Sequence, residues 1–236
     1  VLHLLTPTGG RPEGLALLAG YVNAQAYTGP ARWIIVDDCD PATPVPAVRD
    51  GIEVEVFRPF WRWRPGMNTQ AACMAAGLAR VPDDAVLVIL EDDDAYLPDH
   101  ITTVLAALDR AELAGERVAR YYNVATRRHQ TIPSAFHASL ASTACRGAGL
   151  LLLKRLCSEG SRRIDMDLWR GFTGRKELLD TGNVVGIKAL PGRGGIGVGH
   201  RDTFGTPDPS GQVLAEWIGA ERAAAYDGFR RIENAV

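Results

Sequence analysis

Val86-Leu87-Val88-Ile89-Leu90, followed at once by Glu91-Asp92-Asp93-Asp94, is the stretch on which the reading of this chain turns. A short apolar run rich in β-branched residues and bounded by polar ones reads as a buried strand. The strand ends in four consecutive carboxylates. Two unit charges about 4 Å apart repel by roughly 4 kcal/mol at an effective dielectric near 20. A fold gathers such charge only against something cationic. In an open α/β sheet, ligands bind at the carboxyl ends of the strands. Hard oxygen ligands suit Mg²⁺ or Mn²⁺, and Mg²⁺ typically bridges one or two carboxylates to substrate phosphates. The competing reading is a solvated acidic turn ahead of a helix near Pro98, since acidic side chains favour helix N-termini.

Working outward, the segments before this strand alternate between strand and helix signals. Val1 to Thr6 reads as a strand and Pro7 to Pro12 as a loop. Helical spacing then runs through Leu15, Leu18, Ala19 and Val22. Arg32 to Val36 reads as a second strand, ending in Asp37-Asp38, and a proline-rich loop follows. Ile52, Val54 and Val56 alternate with charged residues as in a half-exposed strand, and Gly66 to Arg80 reads as an alanine-rich helix. This order predicts an α/β fold with a mostly parallel central sheet and helices on both faces.

Beyond the acidic cluster, Pro98 to Ala114 reads as a helix and Arg120 to Ala125 as a strand. Thr126 to Ser142 is polar and irregular, the pattern of a mobile loop over a site. Gly149 to Leu153 is a short apolar run followed by a helix to about Glu159, and Asp165 to Phe172 reads as a further helix. Val184 to Leu190 suggests a last strand, Pro191 to Gly199 is glycine-dense, and Val213 to Phe229 reads as one C-terminal helix.

At 236 residues the chain is long enough for one larger α/β domain or for two small ones, and its 46% hydrophobic content is ample for a core. A net charge of −2 provides no global basic field for nucleic acid or anionic membrane. Lysine occurs only at Lys154, Lys176 and Lys188, so arginine carries nearly all the basic charge. Arginine is the better bidentate phosphate ligand. Cys39, Cys73, Cys145 and Cys157 are widely spaced, without C-x-x-C, which suggests reduced thiols and a cytoplasmic location. No apolar run approaches the roughly 20 residues needed to span a bilayer.

Several of these segments together resemble the GT-A-fold glycosyltransferases, specifically glycosyltransferase family 2. Thr6-Pro7-Thr8-Gly9-Gly10-Arg11-Pro12-Glu13 looks like that family's first strand and loop, and Ile34-Ile35-Val36-Asp37-Asp38 resembles its second strand. Asn68 to Ala79 is similar to the helix before the metal motif, and Ile89 to Asp94 with Pro98 following is similar to the D-x-D region. Gly147 to Leu156 and Ile164-Asp165-Met166-Asp167-Leu168 resemble the acceptor-side segment and its acidic pair. The resemblance covers roughly residues 1 to 170 and implies a single GT-A domain, with residues 1–100 as the nucleotide-sugar-binding half and residues 101–236 as the acceptor-side half and C-terminal helix. It also implies a sugar transferase dependent on Mn²⁺ or Mg²⁺, with UDP the usual donor nucleotide.

Counting back from Pro98, the resemblance puts the family's first acid on Glu91, in place of aspartate, and its metal-binding acid on Asp93. Asp93 is the first choice of metal ligand, with Asp94 beside it and Glu91 and Asp92 near the donor. Asp37 and Asp38 would contact the nucleoside, Thr6, Pro7 and Thr8 would line the base pocket, and Arg11 would pair with the diphosphate. Asp165 is the candidate general base, an acid that takes the acceptor hydroxyl's proton in an inverting displacement. Ile164 stands where the family usually has glutamate, which keeps Asp167 open as the alternative. His200, after the run Gly192 to Gly199, would complete the metal site as neutral imidazole, and Arg193 would clamp phosphate.

Arg58-Pro59-Phe60-Trp61-Arg62-Trp63-Arg64-Pro65 interleaves aromatics and arginines, and suits stacking on sugar rings or on bases with phosphates nearby. Trp61, Arg62, Trp63 and Arg64 are therefore the candidate acceptor-binding residues. A glycan or small molecule is the first expectation for the hydroxyl acceptor, and a hydroxymethylated base in viral DNA the alternative. Two other classes compete. A nucleotidyltransferase also uses carboxylates and Mg²⁺, but Gly9-Gly10-Arg11 is too little of its first loop. A silent sugar-nucleotide-binding module would explain the fold without an acid at Asp165.

Overall fold

The computed structural model describes residues 1–194, 198–201 and 203–230. The chain opens with β1 (Leu2–Thr8), α1 (Pro12–Asn23), β2 (Ala31–Asp37), β3 (Ile52–Phe57), α2 (Gln70–Leu78) and β4 (Val86–Ile89). Within four residues of β4 it forms β5 (Asp94–Tyr96), then α3 (His100–Leu108), β6 (Leu113–Glu116), β7 (Val118–Asn123) and β8 (Arg128–Pro133). It continues through β9 (Ala144–Cys145), α4 (Gly147–Ser158), α5 (Ile164–Gly171), β10 (Lys176–Leu179) and β11 (Val184–Lys188). The described part closes with β12 (Thr206–Pro207), α6 (Gln212–Ile218) and α7 (Ala220–Ala224).

Seven strands form the central sheet in the order β10-β6-β9-β4-β1-β2-β3. β1 runs parallel to β2 and β4, and β2 parallel to β3; only β9, wedged between β4 and β6, is antiparallel. The sheet is thus mostly parallel. A second sheet of five strands, β12-β8-β7-β11-β5, stands beside it.

Strand periodicity assigns the two faces of the central sheet. Leu4, Trp33, Ile35 and Val88 point to one side and pack with Leu15 and Leu18 of α1 and Ile101 and Val104 of α3. Leu5, Ile34, Val36, Leu87 and Ile89 point to the other and pack with Met74 of α2, Leu150 and Leu153 of α4, and Leu168 and Trp169 of α5. Each fully buried Leu or Ile contributes roughly 1.5–3 kcal/mol against exposure. The first of these clusters also takes in Tyr122, Val185, Ile187, Leu214 and Tyr226, so one core spans both halves of the chain.

The second half departs from the periodicity reading in four places. Thr126 to Ser142 is not an irregular loop throughout, because Arg128–Pro133 pairs antiparallel with β7 as a hairpin arm. Gly149 to Leu153 lies inside α4, burying Leu150, Leu153 and Cys157 at helical spacing. The helix from Pro98 stops at Leu108, and Leu113 and Ala114 belong to β6 instead. The C-terminal helix breaks at Gly219, whose φ of +88° ends α6 and forces a new start at α7.

Candidate active site

The carboxyl ends of β1, β2 and β4 meet at one edge of the central sheet, where the acidic cluster lies. Leu90 N–H still donates to Leu5 O at 2.9 Å, and then the chain turns out of the sheet. Asp92 is buried and fully engaged. It accepts from Thr8 Oγ1 at 2.8 Å, Gly9 N at 2.8 Å, and Arg11 Nε and Nη2 at 3.2 and 2.6 Å. It therefore ties the first loop to the cluster. Gly14 permits this approach, since a Cβ there would meet Asp92 O at 2.6 Å.

Glu91, Asp93 and Asp94 each present a carboxylate oxygen within 4.8 Å of the others. Two cations are packed into the same space. Lys188, at the end of β11, reaches Asp94 Oδ1 at 2.9 Å and Asp93 Oδ2 at 3.6 Å. Arg11 Nη2 comes within 3.5 Å of Asp93 Oδ1. Asp94 also accepts from Ile187 N at 3.1 Å, and Glu91 accepts from Gln70 Nε2 at 3.1 Å.

The carboxyls respond unequally. Burial raises all three, but Lys188 and Arg11 outweigh burial at Asp93 and hold it below its ordinary value. At Glu91, burial together with the charges of Asp94 and Asp93 pushes the carboxyl well up. Asp94 also rises, through burial that its bond to Lys188 offsets only in part. Burial alone would lower Lys188, yet the surrounding carboxylates push its ammonium above the usual lysine range. A hard, compact, three-oxygen donor set with Asp93 ionised suits a divalent cation of the Mg²⁺ or Mn²⁺ kind.

His200 ends a short 3-10 turn, Val198–His200. Burial and the charge of Lys188 push its imidazole down to about 4, while Asp93 pulls the other way. It is neutral at pH 7 and senses Asp93 and Lys188, but does not belong to the compact three-carboxylate group. Gly195, Ile196 and Gly197 of the glycine-rich run lie outside the described residues.

On the β2 side, Asp37 and Asp38 are both buried and do different things. Asp37 holds its own loop, accepting from Cys39 N at 3.0 Å and Thr43 N at 2.8 Å. Asp38 accepts from Thr69 Oγ1 at 2.6 Å and Arg193 Nη2 at 2.5 Å. Burial opposes its charge, but those two donors win and hold the carboxyl below its ordinary value. Arg193 also donates from Nη1 to Thr69 Oγ1 at 3.0 Å, and its guanidinium carbon stacks 4.6 Å from the Trp63 ring centroid. Its backbone bridges the first loop: Arg193 N donates to Gly9 O at 3.0 Å, and Arg193 O accepts from Arg11 Nη1 at 2.7 Å. Arg11, Asp38, Arg193 and Trp63 thus converge beside the carboxylates.

Thr6 faces the core, its hydroxyl accepting from Trp33 Nε1 at 2.9 Å. The Thr8 hydroxyl is committed to Asp92, and Pro7 is half-buried. In the Arg/Trp patch, Trp63 N donates to Asp38 O at 2.8 Å, joining the patch to the site. Arg62 turns back on its own loop, to Pro59 O and to Trp61 O at 2.8 Å. Trp61 is half-buried, Arg64 is exposed, and Phe60 is 95% exposed with its ring edge-on to Trp61.

Asp165 and Asp167 sit in the first turn of α5. Asp167 accepts from Ser161 Oγ at 2.8 Å and faces Arg163 at 3.7 Å, both at its own helix start. Asp165 accepts from Met166 N at 2.8 Å and has no ion-pair partner among the described residues. Its charge bears on Tyr121, as do those of Lys188, Asp94 and Glu91, so it belongs to the same electrostatic neighbourhood. Lys188, Gln70 and Thr69 were not candidates on sequence. Lys188 had a signal: one of only three lysines, it ends the apolar run Val184-Val185-Gly186-Ile187.

This architecture is a GT-A-like fold. The chain is similar to the mannosyltransferase PcManGT of Pyrobaculum calidifontis, solved with GDP-mannose and Mn²⁺. The TM-score is 0.53 at 14% identity, over 82% of this chain and 58% of that one. It is also similar to S. aureus TarS 1–349, with a TM-score of 0.50 at 11% identity, over 79% of this chain and 60% of that one. The chain therefore matches about three-fifths of the length of these proteins. No protein-family model matches the sequence. No curated protein matches it in sequence. No helix among the described residues is long and apolar enough to cross a membrane.

Proposed function

We propose that the protein transfers a sugar, with inversion, from a nucleoside diphosphate sugar to a hydroxyl acceptor. The observation that carries this is the trio Glu91, Asp93 and Asp94, with oxygens within 4.8 Å, near the Asp38–Arg193–Trp63 contacts at the edge of a GT-A-like sheet. Asp93 would hold Mn²⁺ or Mg²⁺, with Glu91 and Asp94 around it and neutral His200 as a further ligand. Such a cation neutralises the charge developing on a diphosphate leaving group.

The remaining roles fall to the chain itself. Asp38 takes hydrogen bonds from the nucleoside, and Asp37 shapes the loop that presents it. Arg11 and Arg193 supply guanidinium groups to the diphosphate, where charge-assisted bonds are strongest. Asp165 takes the proton of the acceptor hydroxyl as that oxygen bonds to the anomeric carbon. The anomeric carbon–oxygen bond to the diphosphate breaks, and its electron pair leaves with the nucleotide. One displacement inverts the centre.

UDP is the first choice of donor nucleotide on the family resemblance, and GDP enters because PcManGT is solved with GDP-mannose. The four free thiols suit a reducing compartment, so a cytoplasmic location is the corresponding proposal. Incubation with UDP- and GDP-sugars and Mn²⁺ tests the reading by release of nucleoside diphosphate. A nucleotidyltransferase yields pyrophosphate or monophosphate instead, and a binding module releases nothing.

A further inference from the structure

Lys188 belongs to none of the roles above, yet its ammonium sits against Asp93 and Asp94 of the acidic cluster. Its side chain is 9% exposed and lies within ion-pair distance of Asp94 and Asp93, and Tyr121 covers it with a ring centroid 5.5 Å away. A buried lysine is stable there only because the carboxylates surround it. Its ammonium and a divalent cation draw on the same carboxylates, and the two repel.

We propose that Lys188 is a tethered counter-cation that keeps the acidic cluster weak toward a bare divalent ion and makes metal binding conditional on a nucleoside diphosphate. This rests on the reading of Glu91, Asp93 and Asp94 as the metal site. Without nucleotide, one tethered positive charge and the nearby guanidinium of Arg11 already balance part of the trio. A diphosphate brings negative charge next to Lys188 and Arg11, so the ion and the ammonium are tolerated together. Coupling of this kind is reciprocal: the nucleotide tightens the ion as much as the ion tightens the nucleotide.

The test is Mn²⁺ binding to the protein, followed by electron paramagnetic resonance of the free ion, with and without UDP or GDP. Wild type binds Mn²⁺ weakly alone and about tenfold or more tightly with nucleotide, within the usual span of such couplings. Lys188→Met keeps the apolar stem and removes the charge. It binds Mn²⁺ alone about tenfold more tightly than wild type and loses most of the nucleotide enhancement. Lys188→Arg, which keeps the charge, behaves like wild type. Unchanged or weaker Mn²⁺ affinity in folded Lys188→Met overturns the inference. If Lys188→Met folds only with Mn²⁺ present, the ion is replacing the lost charge, which supports it. If Lys188→Met does not fold at all, wild type decides, and Mn²⁺ bound as tightly alone as with nucleotide overturns the inference. Weak Mn²⁺ binding in wild type, tightened in Lys188→Met but unaffected by either nucleotide in both, overturns the nucleotide dependence, while release of nucleoside diphosphate from a sugar nucleotide, measured separately, decides the sugar-nucleotide reading.

Discussion

Arg193 Nη2 lies 2.5 Å from Asp38 Oδ1, so the residue assigned to the phosphates and the residue assigned to the nucleoside are bonded to each other. Residues some 150 positions apart thereby close one end of the site, with Trp63 stacked on the guanidinium. For both to meet the donor, this pair has to part.

The first prediction follows from that pair. Arg193→Met should weaken nucleoside diphosphate binding by roughly tenfold or more, the scale of one lost hydrogen bond to a charged group. Binding of the bare nucleoside should be unchanged or tighter, because Asp38 is freed. Calorimetry with uridine, guanosine and their diphosphates reads both. A matching loss for nucleoside and diphosphate alike would contradict the phosphate role.

Metal binding should depend on pH in a definite direction. Glu91 and Asp94 hold their protons well above the ordinary carboxylate range, through burial and mutual repulsion. Between the ordinary and the raised values the folded state binds more protons than the unfolded one. The metal-free protein therefore loses stability as pH rises through that interval. Mn²⁺ competes with the same protons, so its affinity should climb and its stabilising effect on Tm should grow as pH passes from mildly acidic to above neutral. Asp93→Asn should abolish Mn²⁺-dependent donor binding at every pH with the fold intact, as circular dichroism would verify. Flat Mn²⁺ affinity across this range would remove the carboxylates from the site.

Asp165 and Asp167 separate by readout. Asp165→Asn should leave donor binding in place while transfer falls 10²–10⁴-fold, the usual cost of a missing general base. Asp167→Asn keeps an acceptor for Ser161 and should cost no more than about 1 kcal/mol of stability, through the lost negative charge in the first turn of α5, with little effect on transfer. A larger loss of transfer in Asp167→Asn would shift the assignment of the base by two residues.

The acceptor is addressed through Trp61, Trp63 and Arg64. Aromatic faces stack on sugars and bases alike, so the arginine is the discriminating group. Phosphate contacts make affinity fall steeply with salt, whereas a neutral glycan shows little dependence. With Arg62 turned back onto its own loop, Arg64 is the exposed arginine of the stretch 61–64. Transfer to hydroxymethylated and unmodified DNA at two salt concentrations, with Arg64→Ala alongside, decides the matter. No transfer to either DNA is the expected outcome, and salt-sensitive transfer to the modified DNA alone would reverse it.

The first half of the fold was legible because its strands are apolar, parallel and long enough to carry a pattern, and because Pro12 marks the start of α1. The second half hid its strands. β8 reads Arg-His-Gln-Thr-Ile-Pro, with much of its surface in solvent, and so offers no alternation. β5, β9 and β12 are too short for any period to register. Leu150 and Leu153 could equally face a helix or a strand core, an ambiguity that periodicity cannot resolve. Within the site, the order of the acidic motifs announced the cluster. Asp92 differs from its neighbours only through partners in the first loop, and Lys188 arrives from a strand nearly a hundred residues away.

Between β4 and β5 the chain crosses from one sheet to the other, and Glu91 to Asp93 are the residues that make the crossing. Ile89 is still paired in the large sheet beside Leu5, whereas Asp94 is already opposite Gly186 in the small one. The carboxylates are thus the stitches of a seam, and their spacing is a gauge of how the two sheets are set against each other. Whatever pulls the three acids together tightens that seam, and a slip between the sheets would disturb every one of these carboxylates at once. Burial along the seam, on α1, α3 and β11, therefore sets the tolerance of the chemistry as directly as the acids do.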